Sequence, residues 1–415
     1  MKIAMLVMNP CVNDARVIRE AEALAAQGHD ITVLATWKPG LATDERRRGV
    51  RYLRLGGPAL QPQAQAPKDP TLRRKFRHLD FRAARLVTRI AVGPSLVALL
   101  YCRLLYGKAL RQLAPEVVHA HELHTLLAGW LYSSRYLIPL VYDSHELEVG
   151  RNGRFLWHEK RFRHLAERFL IRRSAAVITV CDSIADYLRD LYRIDRPIVV
   201  HNAPEGTSPK VGRDLRASLG LAPGVPLAVY VGKVTTNRGI EAGVEVLARE
   251  PALHFALVGP RNPGVSAEVE KLASLRGVAH RLHWVDPVPH GEVTSFIRSA
   301  DLSFVLIQNT CLSYSMCFPN KLLESLLAGV PVVASDLIEL RRIVGETGGG
   351  LVVDQTNIGA ICRATNKVLA NRERYVPGER QIATMMLKYG WATQRERLAN
   401  LYARLRPAPG DAKHS

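Results

Sequence analysis

The chain opens on an unbroken apolar run, "KIAMLVM", and short runs of this kind recur between segments with helical periodicity. Continuous apolar runs fit parallel strands buried on both faces, whereas half-exposed strands alternate apolar and polar residues. After the first run, "DARVIREAEALAAQGHD" spaces its apolar residues as a helix does. It stops at Gly28, ahead of the strand "ITVLAT". The same grammar gives strand "EVVHAH", helix "LHTLLAGWLYSSRY" and strand "PLVYDSH". It continues with strand "AAVITV", helix "CDSIADYLRDLY" and strand "PIVVHNA". A second series starts at "LAVYVGK", with a helix from about Gly239 and strands "HFALVGP" and "LHWVD". Helix "HGEVTSFIRSA", strand "LSFVLI", a helix inside "FPNKLLESLLAG" and strand "VPVVAS" follow. Alternating β and α segments of this kind predict doubly wound parallel sheets.

The polar, Pro- and Gly-containing stretch from Pro204 to Pro226 separates the two series. The pattern therefore predicts an α/β protein of two Rossmann-like doubly wound domains facing a cleft. Residues 1–203 form the first domain and 204–385 the second. An amphipathic helix over 386–405, centred on "WATQRERLANLYARL", is expected to cross back to the first domain, ahead of a disordered tail at 406–415. A length of 415 residues agrees with two cores.

Charge changes this picture. With 57 Lys and Arg against 38 Asp and Glu, the formal charge of +19 calls for an anionic partner. Much of it is concentrated. The region 71–115 carries ten Lys/Arg against Asp80 alone, interleaved with Phe76, Phe81, Leu86, Val87 and Ile90 at roughly helical spacing. Residues Arg151 to Arg173 add eight Lys/Arg against two Glu. Basic amphipathic helices suit an anionic membrane surface. No base-stacking module accompanies them, so nucleic acid is not the expected partner. The longest uncharged apolar run, Ile90 to Cys102, has 13 residues, short of the ~20 that span a bilayer. The N-terminus lacks a cleavable-signal pattern. The six cysteines are scattered and read as reduced core residues. These features predict a cytoplasmic protein, peripheral on the inner face of the cytoplasmic membrane.

Candidate chemistry lies at strand ends. In "VGKVTTNRGIE" a strand closes at Gly232, and Lys233 and Arg238 flank the turn into the next helix, a cationic place for a diphosphate. In "FPNKLLESLLAG" Pro319 opens a helix on which Lys321 and Glu324 share a face. "HAHELH" sets His119, His121, Glu122 and His124 after a strand, and "YDSHEL" does the same for Asp143, His145 and Glu146. The His-x-His pair lacks a third ligand of matching spacing, so no metal is expected.

In this order, these motifs together with "VVHNAP" and "GGGLVVD" resemble the GT-B glycosyltransferases of retaining family 4, also called group 1, over nearly the whole chain. The resemblance implies transfer of a sugar from a UDP- or GDP-sugar to a lipid-linked or polysaccharide acceptor in cell-envelope glycan synthesis. It implies front-face retention, with the leaving phosphate taking the acceptor proton, and neither metal nor other cofactor. His121, Lys233, Arg238 and Glu324 match the catalytic positions, with Glu324 on the ribose hydroxyls. Gly232, Gly259, Ser315, Met316, Pro319, Asn320, Lys321 and Glu339 match the donor side, and Asp14, Arg16, His119, His145 and Glu146 the acceptor side. Two departures stand out. Met316 replaces the first acid of the family's Glu, seven residues, Glu motif, and the first loop lacks the usual glycine pair. With Met316 in place, backbone N–H groups around Ser315 to Phe318 are expected to serve the donor. The same departures motivate a non-catalytic nucleotide-sugar or glycolipid binder as an alternative, ahead of a GT-B nucleotide-sugar epimerase.

Overall fold

The computed structural model describes residues 1–57, 93–151, 156–204, 206 and 214–405. The expected tail at 406–415 and the 71–92 part of the basic region lie outside the described residues. The chain divides into two compact units. One runs to Val200 and resumes at Arg395; the other is His201–Gln394.

The first unit is built on an eight-stranded sheet of order β3-β4-β2-β1-β5-β6-β7-β8. Its strands are β1 (Lys2–Leu6), β2 (Asp30–Thr36), β3 (Asp44–Arg47), β4 (Val50–Leu55), β5 (Val117–His121), β6 (Leu140–Ser144), β7 (Ala176–Thr179) and β8 (Ile198–Val199). All neighbours are parallel except β3, which pairs antiparallel with β4 at the edge. That hairpin has no place in the periodicity reading, because "DERR" is charged throughout. Charged residues are how an edge strand avoids further pairing. The strand order reverses between β1 and β5, and ligands of such sheets gather at this switch point, beyond the carboxyl ends of the strands. Asp14 lies in the loop after β1 and Glu122 directly follows β5 there, and the pairing sets His121 of β5 opposite Asp143 of β6.

The helix Trp157–Ile171 packs with an unusual polarity. Its two acids, Glu159 and Glu167, face inward, and Glu167 accepts 2.8 and 2.7 Å hydrogen bonds from the buried Tyr142 and Tyr192 hydroxyls. Its outer face carries Trp157, Lys160, Arg161, Leu165, Arg168 and Phe169.

The second unit has a six-stranded, all-parallel sheet of order β11-β10-β9-β12-β13-β14. The strands are β9 (Leu227–Val231), β10 (His254–Val258), β11 (Leu282–Val285), β12 (Leu302–Val305), β13 (Val332–Ser335) and β14 (Gly350–Val353). Here the order reverses between β9 and β12, so the Gly232–Gly239 loop lies at the switch point. The C-terminal segment forms two helices, Glu379–Tyr389 and Trp391–Arg404, separated at Gly390. The junction requires glycine: a Cβ on Gly390 would lie 2.4 Å from the Met386 carbonyl oxygen. The second of these helices carries the chain back into the first unit at Arg395.

Candidate functional site

Two groups of side chains assemble at these switch points, one in each unit. In the N-terminal unit, Asp143 is the hub. Arg16 donates to both of its oxygens, at 2.8 Å from Nε and 2.7 Å from the terminal nitrogen. Asp143 Oδ2 also lies 3.2 Å from His121 Nδ1 and 3.0 Å from His145 Nε2. Burial alone would raise the Asp143 carboxyl, but Arg16, with His145 and His121, holds it well below the usual carboxylate range. His145 is correspondingly lifted: burial pulls its pKa down and the Asp143 charge more than restores it. His121, also buried, is lowered, so it stands neutral beside a charged neighbour. Glu20 sits 3.2 Å from Arg16 Nε, and burial pushes its carboxyl up to about 8 against that attraction.

Several of the expected acceptor-side residues are braces. Asp14 caps the helix Ala15–Ala26, accepting from the Val17 N–H and from the Asn9 amide at 2.8 Å. Arg16 is buried in its ion pair and also donates to the Val200 carbonyl at 2.6 Å. His119 is 0% exposed, stacked on His121 and held by Tyr402, whose hydroxyl lies 2.9 Å from its Nδ1. Arg16 and His119 are buried, whereas Asp14 is half-buried. Of the residues expected on the acceptor side, His145 and Glu146 reach the surface, and Glu122 does so beside them. Arg151 ties that surface together through 3.1 Å ion pairs to Glu122, Glu146 and Glu148. Glu122 adopts φ 62°, a left-handed conformation uncommon for a residue with a side chain.

The cluster also bears on metal binding. Glu20, His119, His121 and Asp143 each offer a ligand atom within 4.8 Å of the others, so the third and fourth ligands missing from the sequence spacing exist in space. Arg16 already holds the cation's place. Its guanidinium engages both Asp143 oxygens and approaches Glu20, which suits these residues to an arginine rather than a metal ion.

In the C-terminal unit, the loops after β9 and β10 are zipped together. The Val234 N–H donates to the Pro260 carbonyl at 2.9 Å and the Gly232 N–H to the Val258 carbonyl at 2.9 Å. Gly259 packs on Gly232 so closely that a Cβ there would lie 2.3 Å from the Gly232 oxygen, at a φ of +144° open only to glycine. Lys233 extends from this platform. Asn237, at φ 62°, turns the chain so that Arg238 lies over the Tyr314 ring, 5.1 Å from its centroid. Lys321 approaches from the helix Asn320–Leu327, its amine 3.7 Å from the centroid of Tyr230. Lys321 thus lies against Gly232, while Arg238 rests on Tyr314 and Lys233 is exposed in the same loop. Glu324 is buried one turn along the same helix, which Ser325 anchors to β12 through a 2.8 Å bond to Ser303.

Glu339 is 1% exposed and paired with Arg342, so it braces its helix start. The Ser315–Phe318 segment differs from expectation. The N–H groups of Ser315, Met316 and Cys317 are spent within the turn on Cys311 and Tyr314 carbonyls, and the Ser315 hydroxyl donates to Leu312. The next helix starts at Asn320 without a side-chain cap from Pro319, so its first-turn N–H groups are not capped from that side. Tyr230, Tyr314, Glu20 and Arg151 are site residues that motif reading passed over. Only Glu20 left a trace, four residues after Arg16 on one helical face.

Comparison with known proteins gives these groups a context. Residues 15–203 match the family described as Glycosyl transferase 4-like domain, and residues 212–381 match Glycosyl transferases group 1. A D-inositol 3-phosphate glycosyltransferase of Nocardia farcinica is 28% identical over 306 residues, covering 69% of this chain and 66% of the relative. Its counterpart in Actinosynnema mirum is 30% identical over 57% of this chain and 60% of the relative. The chain thus spans about two thirds or less of the length of these relatives. Among solved structures, a sucrose-phosphate synthase from Thermosynechococcus elongatus superposes with TM-score 0.76 at 20% identity, covering 98% of this chain and 99% of the other. Anabaena HepE in complex with UDP-glucose gives 0.67 at 14% identity, covering 97% and 100%. At such identities the structures speak for the fold, which is GT-B. With both family matches in chain order on paired parallel-sheet units, the protein belongs to the group 1 glycosyltransferases.

Proposed function

We propose that this glycosyltransferase moves a sugar from a UDP- or GDP-sugar to a hydroxyl of a lipid-linked or polysaccharide acceptor in cell-envelope glycan synthesis, with retention and without a metal. The observation that carries this reading is the Lys321 amine lying against Gly232, in the loop that also carries Lys233 and Arg238. Breaking a sugar–diphosphate bond loads charge onto the leaving phosphate, and preorganised cations stabilise that charge most where water is excluded. Three cations make a divalent ion unnecessary there. Glu324, on the helix that presents Lys321, is placed to accept the ribose hydroxyls. His145, Glu146 and Glu122 offer the acceptor side its polar edge, with His121 behind them.

A thermal-shift screen of UDP- and GDP-sugars tests the donor, because a ligand that binds only the folded state raises its melting temperature. Replacing Glu324 with Ala is expected to weaken the stabilising donor about tenfold to a hundredfold, for loss of a charge-assisted hydrogen bond or two. An unchanged shift refutes the ribose assignment. Met316 favours one second reading, a binder without turnover, and release of nucleoside diphosphate separates the two.

The reading places the enzyme in the cytoplasm, peripheral on the inner membrane face. None of the helices in the described residues is long and apolar enough to cross a membrane. The outward face of Trp157–Ile171 supports a surface contact. Trp157 is 77% exposed, Leu165 and Phe169 stand out beside it, and Arg161, Arg168, Arg172 and Arg173 flank them while both acids point inward. The helix Gly93–Leu113 packs against this one and exposes 80% of Leu104. Vesicles rich in phosphatidylglycerol are expected to bind the protein at low salt and release it as salt rises. Trp157→Ala is expected to lower partitioning about tenfold. Equal sedimentation with neutral vesicles, or none with anionic ones, contradicts this.

A further inference from the structure

Tyr230, next to last in β9, is held at both ends. It is 1% exposed, pairs in register with Leu257 and shares a buried cluster with Val234, Ile240 and Phe304, so the core fixes its ring. Its hydroxyl donates a 2.8 Å hydrogen bond to the Lys233 carbonyl, just beyond the strand end. The face of the same ring carries the Lys321 amine, 3.7 Å from the centroid. A methyl group placed on Gly232 would meet that amine at 3.5 Å and the Tyr230 hydroxyl at 3.9 Å, so phenol and amine meet around one glycine.

The kind of contact matters. Lys321 is half-buried, and an ammonium withdrawn from water needs compensation. Among the described residues it makes no ion pair with a carboxylate within 4.0 Å. An aromatic face attracts the ammonium through its quadrupole and leaves the formal charge whole. A carboxylate in the same place would cancel that charge and compete with an incoming phosphate. Arg238 follows the same pattern, with the Tyr314 ring 5.1 Å away and, among the described residues, no ion pair within 4.0 Å. A lysine side chain is long and flexible, and holding it in place before the ligand arrives removes an ordering cost from binding.

We propose that Tyr230 is a positioning residue of the donor site, its ring seating the Lys321 ammonium for the diphosphate while its hydroxyl keeps ring and loop in register. The proposal rests on the donor-site reading above and goes beyond it by assigning the orientation of Lys321 to an aromatic face. The two handles of the phenol are separable. The ring face acts only through Lys321. The hydroxyl acts on the loop whether or not Lys321 is present.

Calorimetric titration of the full chain with UDP and with GDP separates them. Lys321→Met alone is expected to bind the preferred nucleotide about tenfold more weakly. Tyr230→Phe keeps the ring and loses the hydroxyl bond, so it is expected to cost about threefold, alike with and without Lys321→Met. Tyr230→Leu removes the ring face as well and is expected to bind about tenfold more weakly than Tyr230→Phe. On the Lys321→Met background the Phe and Leu variants are expected to bind equally, which a purely structural role for the ring would not produce. Pentafluorophenylalanine at position 230 keeps the ring shape and reverses the charge on its face, so it gives the same reading where Leu impairs folding. It is expected to bind about tenfold more weakly than Tyr230→Phe while Lys321 is present, and equally once Lys321 is Met. Equal binding by the Phe and fluorinated variants with Lys321 present overturns the proposal and leaves the donor site standing. A loss in the fluorinated variant that persists with Lys321→Met does the same. Failure of the wild type to bind either nucleotide overturns the donor-site reading and the proposal with it.

Discussion

Replacing Asp143 with alanine is expected to destabilise the N-terminal unit by about 3–5 kcal/mol, because Arg16 would remain buried and charged without its partner. The geometry leaves little room for rescue. Arg16 spends two nitrogens on Asp143 and a third on the Val200 carbonyl, and its neighbour Glu20 is itself pushed toward the protonated form. His145 would lose the charge that lifts its pKa, and His121 its bond at Nδ1. Chemical denaturation of the variant reads the loss. A pH series adds a sign. Asp143 is held below its ordinary range, so its contribution is present above that range and lost as pH falls through the folded value. The variant should lack that acid limb. The contrast is Asp190→Ala, which removes an exposed ion pair with Arg189 and is expected to leave the midpoint unmoved. Equal midpoints for the two variants would mean that the buried hub is not what holds the unit.

Arg238→Ala is expected to lower turnover about 10²–10³-fold, the usual cost of removing one preorganised donor to a developing anion. The surrounding backbone shows why the position is specific. Asn237 accepts a left-handed φ to present Arg238, and Gly239 follows in contact so tight that a Cβ would lie 2.1 Å from the Leu306 oxygen. Tyr314 supports the guanidinium from one side. Arg238→Lys keeps charge but loses the planar fork, and an intermediate loss is expected. Folding should be unchanged in both, since among the described residues Arg238 makes no ion pair within 4.0 Å. A fall in the melting temperature would mean that Arg238 holds the loop rather than the phosphates.

The architecture was readable because parallel strands buried on both faces announce themselves as apolar runs, and "KIAMLVM", "LAVYVGK" and "VPVVAS" all became central strands. The β3–β4 hairpin escaped because an edge strand that resists pairing is charged, and charge reads as loop. In the site, motif spacing put Lys233 and Arg238 on the loop after β9 and Glu324 on the helix after Pro319, as the structure has them, since those positions are local to a strand end or a helix start. It failed where role depends on distance in space. Asp14 and Arg16 read as ligand contacts and are a cap and a buried counter-ion. His119 alternates with His121 along one strand, but Tyr402, nearly three hundred residues away in sequence, closes over it. The third and fourth donors of the His–carboxylate cluster come from another helix and another strand, which no spacing rule reveals. The inward turn of Glu159 and Glu167 is equally invisible, because their phenolic partners lie on β6 and a later helix.

The central claim is that the cations around Gly232 drive cleavage of a nucleotide-sugar. Its most direct measurement is nucleoside diphosphate released from a panel of UDP- and GDP-sugars by the wild type and by Arg238→Ala, with no acceptor added. At least one donor is predicted to be hydrolysed slowly by the wild type, and that rate to fall about 10²–10³-fold in the variant. No release from any donor, or equal release by both proteins, would contradict the claim.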